Sequence, residues 1–299
     1  MLHTLLLTFP VMLCPSCSTE GAAEHRGSPS IEMCHTVQAP RQLPDDVRET
    51  SGLAMSGREP QVLWTHNDRG NDAVIYAIDA AGTLRAHVTV TGAQPIDWED
   101  IEAAPCASGT CLYIADIGDN DGERESITIH EVPEPELRDG ASASARALHA
   151  RYPDGPHNAE SLFVLPGGDM YIVTKGDDGP VSLYRYPAAR RGDEDVVLEL
   201  VRQAIAQPRE RTDLVTGAAA SPDGRHIALR TYGSLFIYTT ESLLRGSDTT
   251  TAPIDLRSLG EPQGEGVAVN ADGTVWLSSE AENSDARPLL SRLSCPLPE

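Results

Sequence analysis

The stretch "EDIEAAPCASGTCLYIADIGD" (99–119) contains a unit that recurs along the chain and from which the fold can be predicted. A short first strand, a tight turn between two cysteines and the strand-like run "CLYIAD" follow one another, which is typical of a β-hairpin. The first strand recurs as "TSGLA" from Thr50, "EDIEA" from Glu99, "ESLFV" from Glu160, "TGAAA" from Thr216 and "EGVAV" from Glu265. Successive starts are 49, 61, 56 and 49 residues apart, as expected of a repeat protein.

A second strand follows each start after a turn, and an aromatic residue recurs at one place in it. The second strands are "VLWTHND" (62–68), "CLYIADIGD" (111–119), "MYIVTKGDD" (170–178), "IALRTYG" (227–233) and "VWLSSEAE" (275–282). The aromatics are Trp64, Tyr113, Tyr171 and Trp276, with Ala228 as the exception. Third strands follow as "VIYAID", "SITIHEV", "VSLYRYP" and "SLFIYTT".

These repeats predict an all-β protein that forms a single β-propeller. Repeats of roughly 50 residues with four short strands are typical of propeller blades. We count five repeats, and a sixth, degenerate blade could lie in 120–158 or in 186–212. The four-stranded blades are expected within residues 34–299, in a ring that leaves no exposed sheet edge.

The composition excludes one class of partner. With 45 acidic against 23 basic residues, the formal net charge is −22. Such a surface repels phosphate backbones, so nucleic acid is not expected as a partner. The 25 glycines and 22 prolines favour many short strands and turns over long helices.

The N-terminal segment is typical of an export signal. "LLLTFPVML" (5–13) has the length of a signal-peptide apolar region and is too short to span a bilayer. Residues 1–17 are predicted to be either a lipoprotein signal, with lipidation at Cys17, or a plain secretion signal. Residues 18–33 are expected to be a flexible tether. The predicted location is therefore the bacterial cell envelope, as a periplasmic protein or outer-membrane lipoprotein, or the medium.

Four cysteines remain if Cys14 and Cys17 belong to the signal. An even number in an exported chain indicates two disulfides, with three possible pairings. Cys106 and Cys111 flank the tight turn "ASGT", which favours a local bridge. Cys34 and Cys295 would then pair by elimination and join the first ordered residues to the last.

Several short motifs resemble families of exported propellers. "SPDGRHIA" (221–228) resembles the turn of TolB-like propellers. "SGLA", "DWEDIEA", "AESLFV" and "GEGVAV" resemble strand starts of phytase-like and gluconolactonase-like propellers, and the likeness covers most of residues 47–290. The resemblance implies a metal in the central channel, held by a carboxylate at a first-strand start and by polar residues of other blades. Glu99, Glu160 and Glu265 match the first feature.

The repeat also places five equivalent positions around one axis. Innermost strands of a propeller start at the mouth of the channel, so we expect a ring of Thr50, Glu99, Glu160, Thr216 and Glu265. Three converging carboxylates raise one another's pKa values unless a cation or a basic group neutralises them.

Two ways of neutralising this ring remain open. Oxygen ligands suit Ca²⁺ better than a transition metal, and the predicted metal ligands are Asn67, Glu99, Asp116, Glu160 and Glu265. Alternatively, Lys175 and Arg230 at the ends of second strands form a salt-bridged plug. The channel residues expected to bind a ligand are Thr50, Lys175, Thr216, Arg230, Tyr232 and Glu280.

Two functions are consistent with these features. The first is an exported monomer whose acidic channel binds Ca²⁺ and whose top face binds a small-molecule or cell-envelope ligand. The second is a metal-dependent hydrolase of phosphoesters or lactones, with His66 beside Asp68 as its general base. The motifs GxSxG, GxxxxGK[ST] and HExxH do not occur in the sequence. The scarcity of basic residues near the channel favours the first function.

Overall fold

The computed structural model describes residues 1, 34–246, 252–281 and 283–299. The chain divides into two units, residues 1–32 and 33–299, and the fold below belongs to the second. Apart from Met1, the predicted export signal, the lipidation site Cys17 and the tether lie outside the described residues. Within the described ranges, the structure contains no helix with the length and apolar character that a membrane crossing requires.

Short strands make up nearly all of the regular structure, as expected for short apolar runs between turn residues. The strands are β1 (His35–Gln42), β2 (Thr50–Met55), β3 (Val62–Asn67), β4 (Val74–Asp79), β5 (Leu84–Thr89), β6 (Trp98–Cys106), β7 (Gly109–Asp116), β8 (Ile127–Pro133), β9 (Gly140–Ala141), β10 (Arg146–Arg151), β11 (Ala159–Val164), β12 (Met170–Thr174), β13 (Val181–Tyr186), β14 (Val196–Val197), β15 (Glu199–Ala206), β16 (Val215–Ala220), β17 (His226–Thr231), β18 (Ser234–Thr239), β19 (Ile254–Asp255), β20 (Gln263–Val269), β21 (Thr274–Glu280) and β22 (Leu289–Ser294). One short α-helix, α1 (Thr240–Arg245), follows β18, and 3-10 turns occupy Asp45–Val47, Ala188–Arg190, Arg211–Asp213 and Arg257–Leu259.

The described strands form five sheets, each of which is one blade. From the innermost strand outward, the blades are β2-β3-β4-β5-β9, β6-β7-β8-β10-β14, β11-β12-β13-β15, β16-β17-β18-β19 and β20-β21-β22-β1, numbered 1 to 5 in that order. The prediction of an all-β propeller is confirmed, with five blades. The intervals that could have held a sixth blade contain third and outer strands of blades 1 to 3 instead.

The two ends of the chain close the ring. The N-terminal strand β1 pairs antiparallel with β22, so blade 5 takes strands from both ends. A disulfide joins Cys34 to Cys295 beside this pair, and a second joins Cys106 to Cys111 across the β6–β7 hairpin. Both predicted disulfides are confirmed, and they favour an oxidising environment outside the cytosol.

The innermost strands β2, β6, β11, β16 and β20 lie side by side around the axis. The Ser51 hydroxyl donates to the carbonyl of Glu99 at 2.6 Å, and the Thr216 hydroxyl donates to the carbonyl of Gly264 at 3.0 Å. Because such contacts join corresponding levels of neighbouring strands, all five run in one direction. We call the end where they begin the upper mouth of the channel, and the end where they finish the lower mouth.

Each innermost strand has a bulge near its start, where its register against the second strand shifts. The residues left unpaired include Glu99, Glu160, Thr216 and Glu265. In blade 1, Ala54 pairs with Trp64 as Glu102 pairs with Tyr113 in blade 2. The residue of blade 1 that is equivalent to Glu99 is therefore Ser51, not Thr50. The predicted alignment from Thr50 is therefore one residue out, because a bulge adds a residue that sequence spacing does not reveal.

The residue directly after the unpaired bulge residue of each innermost strand lies where neighbouring innermost strands approach closely. The five equivalents are Gly52, Asp100, Ser161, Gly217 and Gly266. A Cβ on Gly52 would lie 2.3 Å from the backbone nitrogen of Ile101, and a Cβ on Gly266 would lie 2.6 Å from the carbonyl oxygen of Ser51. Glycine at these positions is therefore what lets the inner strands form so narrow a ring.

Asp100 carries a charged side chain at a position where three other blades have glycine. Its carboxylate hydrogen-bonds to two other blades and so links three blades. One of its carboxylate oxygens accepts from the backbone N–H of Leu162 at 2.8 Å and of Ala218 at 3.3 Å. Two residues further on, Glu102 accepts from the backbone N–H of Ala220 at 2.9 Å. Innermost strands are sheet edges with unpaired N–H groups. The two carboxylates of blade 2 satisfy such groups in blades 3 and 4.

Apolar side chains fill the spaces between blades. One cluster joins blades 2 and 3, and it includes Tyr113, Ile129, Leu162, Ile172 and Tyr184. Each of these side chains is buried, and burying one large apolar side chain stabilises the fold by about 1.5–3 kcal/mol. The packed blades thereby hold the two mouths of the channel in fixed positions.

We expect the closure disulfide to stabilise the fold more than the hairpin disulfide does. Its cysteines are 261 residues apart in sequence, against 5 for Cys106 and Cys111, and the entropy model favours the longer loop. Replacing Cys34 and Cys295 with Ser should lower the free energy of unfolding by about 2–4 kcal/mol. Urea denaturation without reductant measures this, with the Cys106/Cys111 double Ser variant as control. An equal or larger loss in the control would contradict the closure role.

Asp100→Ala should be among the most destabilising substitutions in the channel. It leaves the N–H groups of Leu162 and Ala218 buried without an acceptor, at about 1–3 kcal/mol each. Asp100→Asn keeps one acceptor oxygen and should cost less. The control is Asp121→Ala on an exposed turn, which should change stability by no more than about 0.5 kcal/mol. If thermal and urea denaturation show Asp100→Ala to be as stable as the control, the bridging role is wrong.

Candidate functional site

The upper mouth gathers carboxylates from four blades. They are Asp68, Asp97, Glu99, Glu160, Glu265 and Glu280. The charge of Glu160 acts on both Glu99 and Glu265. The structure thus brings together the three glutamates that the repeat places at equivalent positions. The bulges are the reason, because they turn residues that would otherwise pair within a blade toward the axis.

Asp68, Asp97 and Glu99 form the tightest group, which we call the acidic cluster. Each offers a carboxylate oxygen, and these oxygens lie within 4.8 Å of one another. Asp97 is 3% exposed, and one oxygen each of Asp97 and Asp68 is buried without a hydrogen-bond donor. Buried polar atoms without partners are costly, and a cation among them would remove that cost.

The loop after β7 closes on the acidic cluster. The N–H groups of Ile117 and Gly118 donate to the carbonyl of Asp97, both at 3.2 Å. A Cβ on Gly118 would lie 2.1 Å from Glu99 Oε1 and 2.6 Å from Asp97 Oδ2. Since only glycine fits there, the loop backbone lies directly against the carboxylates and fixes their positions.

Lys175 supplies positive charge to the other side of the mouth. Its ammonium forms a salt bridge with Glu160, and both side chains are largely buried. It also lies 6.0 Å from the centre of the Tyr232 ring, and the guanidinium of Arg211 lies 4.9 Å from the same ring. Tyr232 is thus flanked by two cations, within reach of cation–π attraction.

Gln263 links Arg211 to the glutamates of blade 5. It accepts from Arg211 at 2.5 Å and donates to Glu265 Oε1 at 2.8 Å and to Glu280. Blade 4 adds Thr216, whose hydroxyl is used by the inner-strand contact described above. The mouth therefore has an acidic half, formed by the cluster, and a mixed half of hydrogen-bonded pairs.

Burial controls the protonation of the acidic cluster. It raises the pKa of Asp68, and together with the charge of Asp68 it raises the pKa of Asp97 to about 6. Burial and the charge of Glu160 hold the pKa of Glu99 well above its usual range. The cluster thus resists carrying its full negative charge.

Burial also raises the pKa values of the carboxyl groups in the mixed half of the mouth. Burial raises the pKa of Glu160 to about 7, although Lys175 acts in the opposite direction. Burial and the charge of Asp68 raise the pKa of Glu280 to about 7. Burial and the charge of Glu160 raise the pKa of Glu265 well above its usual value. Burial would lower the pKa of Lys175, but Glu160 more than offsets this and raises it.

Asn67, predicted as a metal ligand, is used elsewhere in the structure. Its amide donates to the carbonyl of Asp46 at 2.8 Å and accepts from the N–H of Glu49 at 3.2 Å. These bonds hold the segment before β2 onto the end of β3. The structure does not bring Asn67 into the acidic cluster, because side chains alternate along a strand.

Asp116, the other predicted ligand outside the cluster, has three partners of its own. It accepts from the N–H groups of Ile96 and Asp97 at 2.9 and 3.1 Å, and it pairs with Arg124 at 2.9 Å. Burial would raise its pKa, but the nearby His130 ring, these N–H groups and Arg124 lower it. Asp116 thus positions the backbone of Asp97.

Arg230 and His66 also lie outside the mouth. Arg230 is fully buried, donates to the carbonyls of Gly266 and Ser278 at 3.0 Å each, and pairs with Glu261. It therefore joins blades 4 and 5 and does not neutralise the glutamate ring. His66 is fully buried against Trp98, with ring centres 5.7 Å apart, and burial lowers its pKa to about 4. Its predicted partner as a catalytic pair, Asp68, belongs to the acidic cluster instead.

Sequence spacing did not predict Asp97 as a member of the site, or Asp100, Glu102 and Arg211 as residues of the channel. A signal for Asp97 existed, since it lies two residues before Glu99 in "DWE", and alternate residues share a face. Asp100 could have been noticed as the one charged residue where three other blades carry glycine. Arg211 lies in a short connection between blades, for which spacing gave no signal.

The comparisons with known proteins support the fold alone. No protein-family model and no curated protein matches the chain. The PQQ-bound aldose sugar dehydrogenase of Streptomyces coelicolor is 12% identical, with a TM-score of 0.52 over 87% of this chain and 97% of its own. A glucose dehydrogenase is 13% identical, with a TM-score of 0.52 over 85% and 99%. A gluconolactonase from Xanthomonas campestris is 12% identical, with a TM-score of 0.44 over 89% and 97%. Such likeness to a fold does not transmit an activity.

The raised pKa values predict that stability falls as pH rises when divalent cations are absent. The folded state holds protons on Asp97, Glu160 and Glu280 more tightly than the unfolded chain, whose carboxyl pKa values are about 4. Their contribution is fully present below about pH 4 and is lost as pH rises through 6 to 7. Urea denaturation in EGTA should therefore give a lower free energy of unfolding at about pH 8 than at about pH 5.

The matched control is the double variant Glu160→Gln with Glu280→Gln, which lacks two of the titrating groups. Its stability should depend less steeply on pH than that of the wild-type protein. Stability that rises with pH across this window would contradict the assignment.

Proposed function

We propose that this propeller binds Ca²⁺ at its upper mouth through Asp68, Asp97 and Glu99 and presents the ion to a ligand. The proposal rests mainly on the buried Asp97 oxygen without a donor, beside two carboxylates whose oxygens lie within 4.8 Å of one another. Ca²⁺ lies about 2.3–2.6 Å from its ligand oxygens. Oxygens on opposite sides of one ion are thus about 5 Å apart, which fits the observed spacing.

The donor set favours Ca²⁺ over a transition metal. All three members of the acidic cluster are carboxylates, which hard cations prefer. Ca²⁺ accepts six to eight oxygens in flexible geometry, so water and a ligand can fill the positions that three side chains leave open. A ligand with hydroxyl, carboxylate or phosphate oxygens suits such an ion.

The charges of the mouth support a bound cation over a plug made of salt bridges alone. Six carboxylates face four nearby cationic side chains, which are Arg69, Arg124, Lys175 and Arg211. Lys175 is committed to Glu160, and Arg230 pairs with Glu261 outside the mouth. Lys175 and Arg124 are thus already paired, with Glu160 and Asp116. The six carboxylates still outnumber the nearby cations, and the excess negative charge of the acidic cluster supports a bound metal.

A metal-dependent hydrolase of phosphoesters or lactones is the second candidate. Glu160 favours it, because a carboxyl group with a pKa of about 7 is matched to a general base at neutral pH. The buried position of His66 argues against the catalytic pair expected from the sequence. Turnover of a lactone or phosphoester panel in Ca²⁺ that Glu160→Gln abolishes would select this candidate, and no turnover would leave the binding protein.

The proposal also covers where the protein is located in the cell and what kind of ligand it binds. Two disulfides support an exported protein. We place it in the bacterial cell envelope or the medium, held by a lipid on Cys17 or released after secretion. It acts as a monomer whose upper face binds a small-molecule or cell-envelope ligand, and the TolB-like and phytase-like motifs of its sequence support this reading.

The Ca²⁺ proposal predicts a stability response to chelator. A ligand held 100-fold above its Kd stabilises the folded state by about 2.7 kcal/mol, so excess EGTA should lower the melting temperature of protein purified with Ca²⁺. Asp97→Asn should remove most of this response, because it weakens the cluster while keeping its shape. Differential scanning calorimetry with and without EGTA makes the comparison.

Glu123→Gln is the control, since Glu123 lies exposed on the neighbouring acidic loop. It should keep the full EGTA response. The proposal fails if EGTA leaves the wild-type melting curve unchanged and elemental analysis finds no calcium. It also fails if the control loses the response as completely as Asp97→Asn.

A further inference from the structure

The lower mouth of the channel opens into a second site, a cavity of about 320 Å³. It lies where β2, β6, β16 and β20 end. Its walls are mostly small or apolar, and they include Met55, Pro60, Ala104, Pro222 and Val269. A volume near 300 Å³ is at the lower end of the range for small-molecule sites.

Small residues make up much of the cavity wall, among them Gly57, Ala104, Ala220 and Ala268. The positions equivalent to Glu102 are Ala54, Phe163, Ala219 and Ala268. Phe163 stacks on Tyr171, with ring centres 4.9 Å apart. Of these positions, the cavity is lined by Ala268 and by Glu102 itself.

Glu102 is an ionisable group without a cationic partner. It is 6% exposed, and its two oxygens accept from the backbone N–H groups of Ala103 at 3.0 Å and Ala220 at 2.9 Å. The described residues that line the cavity include no Lys, Arg or His. Burial raises the pKa of Glu102 well above its usual value, and the neighbouring charge of Asp100 has the same sign.

We propose that the lower cavity binds a small organic cation, a primary ammonium group on a compact apolar body, with the ammonium against the Glu102 carboxylate. Each oxygen uses one acceptor position for a backbone N–H and keeps another for the ligand. Charge-assisted hydrogen bonds are among the strongest, and an ammonium supplies the charge that the walls lack. The apolar body would contact Met55, Pro60 and Val269. This site is at the opposite mouth from the acidic cluster, and it does not depend on Ca²⁺.

Calorimetric titration of the full chain with benzylammonium, beside its neutral analogue benzyl alcohol, tests the proposal. We expect saturable 1:1 binding of benzylammonium and weaker binding of benzyl alcohol. Glu102→Gln keeps an oxygen for the Ala220 N–H but removes the charge, and it should weaken benzylammonium binding about tenfold or more, or about 1.4 kcal/mol. Ala103→Leu fills the cavity from its wall without altering Glu102, and it should abolish binding of both compounds.

Two controls separate this site from general attraction to an acidic protein. Glu123→Gln on the exposed acidic loop should bind benzylammonium as the wild-type protein does. Binding should also persist at high salt, where exposed charges are screened. If Glu102→Gln does not fold, as judged by circular dichroism, Ala103→Leu decides. The proposal is overturned if no 1:1 binding is found, or if Glu102→Gln binds with equal affinity. It is also overturned if Ala103→Leu binds with unchanged affinity, or if Glu123→Gln loses as much affinity as Glu102→Gln.

Discussion

The rest of the structure depends on the hydrogen bonds that the Asp100 carboxylate accepts from backbone N–H groups of β11 and β16. Innermost strands of a propeller are sheet edges, and their inward N–H groups need acceptors. In this narrow ring, glycines of three blades at the same level let the strands approach closely. One carboxylate at the centre satisfies N–H groups of two other blades. Five blades can therefore close around a core that is polar yet hydrogen-bonded.

The same strand divides the channel into two chemically different ends. Glu99, Asp100 and Glu102 are nearly consecutive, yet Glu99 lies in the acidic cluster above, Asp100 ties the inner strands, and Glu102 lines the cavity below. The bulge between Trp98 and Asp100 makes this possible, because it turns Glu99 away from the face that Asp100 occupies. Blade 2 thus contributes a carboxylate to the acidic cluster, to the contacts between innermost strands and to the lower cavity.

The fold could be predicted from the sequence because its signals are local. Short apolar runs at regular spacing predicted the inner strands. The even number of cysteines predicted two disulfides, and the tight turn between Cys106 and Cys111 selected their pairing. The outer strands were not predicted, because they are short, half exposed and weakly patterned, as in β9, β14 and β19. The one-residue error at Thr50 has a single cause, the bulge.

The site was only partly predictable, since its composition depends on side-chain direction. Glu99, Glu160 and Glu265 follow from the repeat. Asn67 and Asp116 have the chemistry of ligands, but backbone groups left unpaired at strand ends use their oxygens. Arg230 has the charge for the channel, yet it pairs between blades 4 and 5. Residue type and spacing cannot separate these roles, because competition for buried hydrogen-bonding groups decides them.

The measurement that tests the central claim most directly is a crystal structure of the protein grown with CaCl₂, with anomalous diffraction data collected to locate calcium. A calcium site at the upper mouth predicts one strong anomalous peak there, within about 2.6 Å of oxygens from Asp68, Asp97 and Glu99. An upper mouth without a peak, with Lys175 or water among these carboxylates, would contradict it. So would a peak found only on the exposed loop at Asp121 and Glu123.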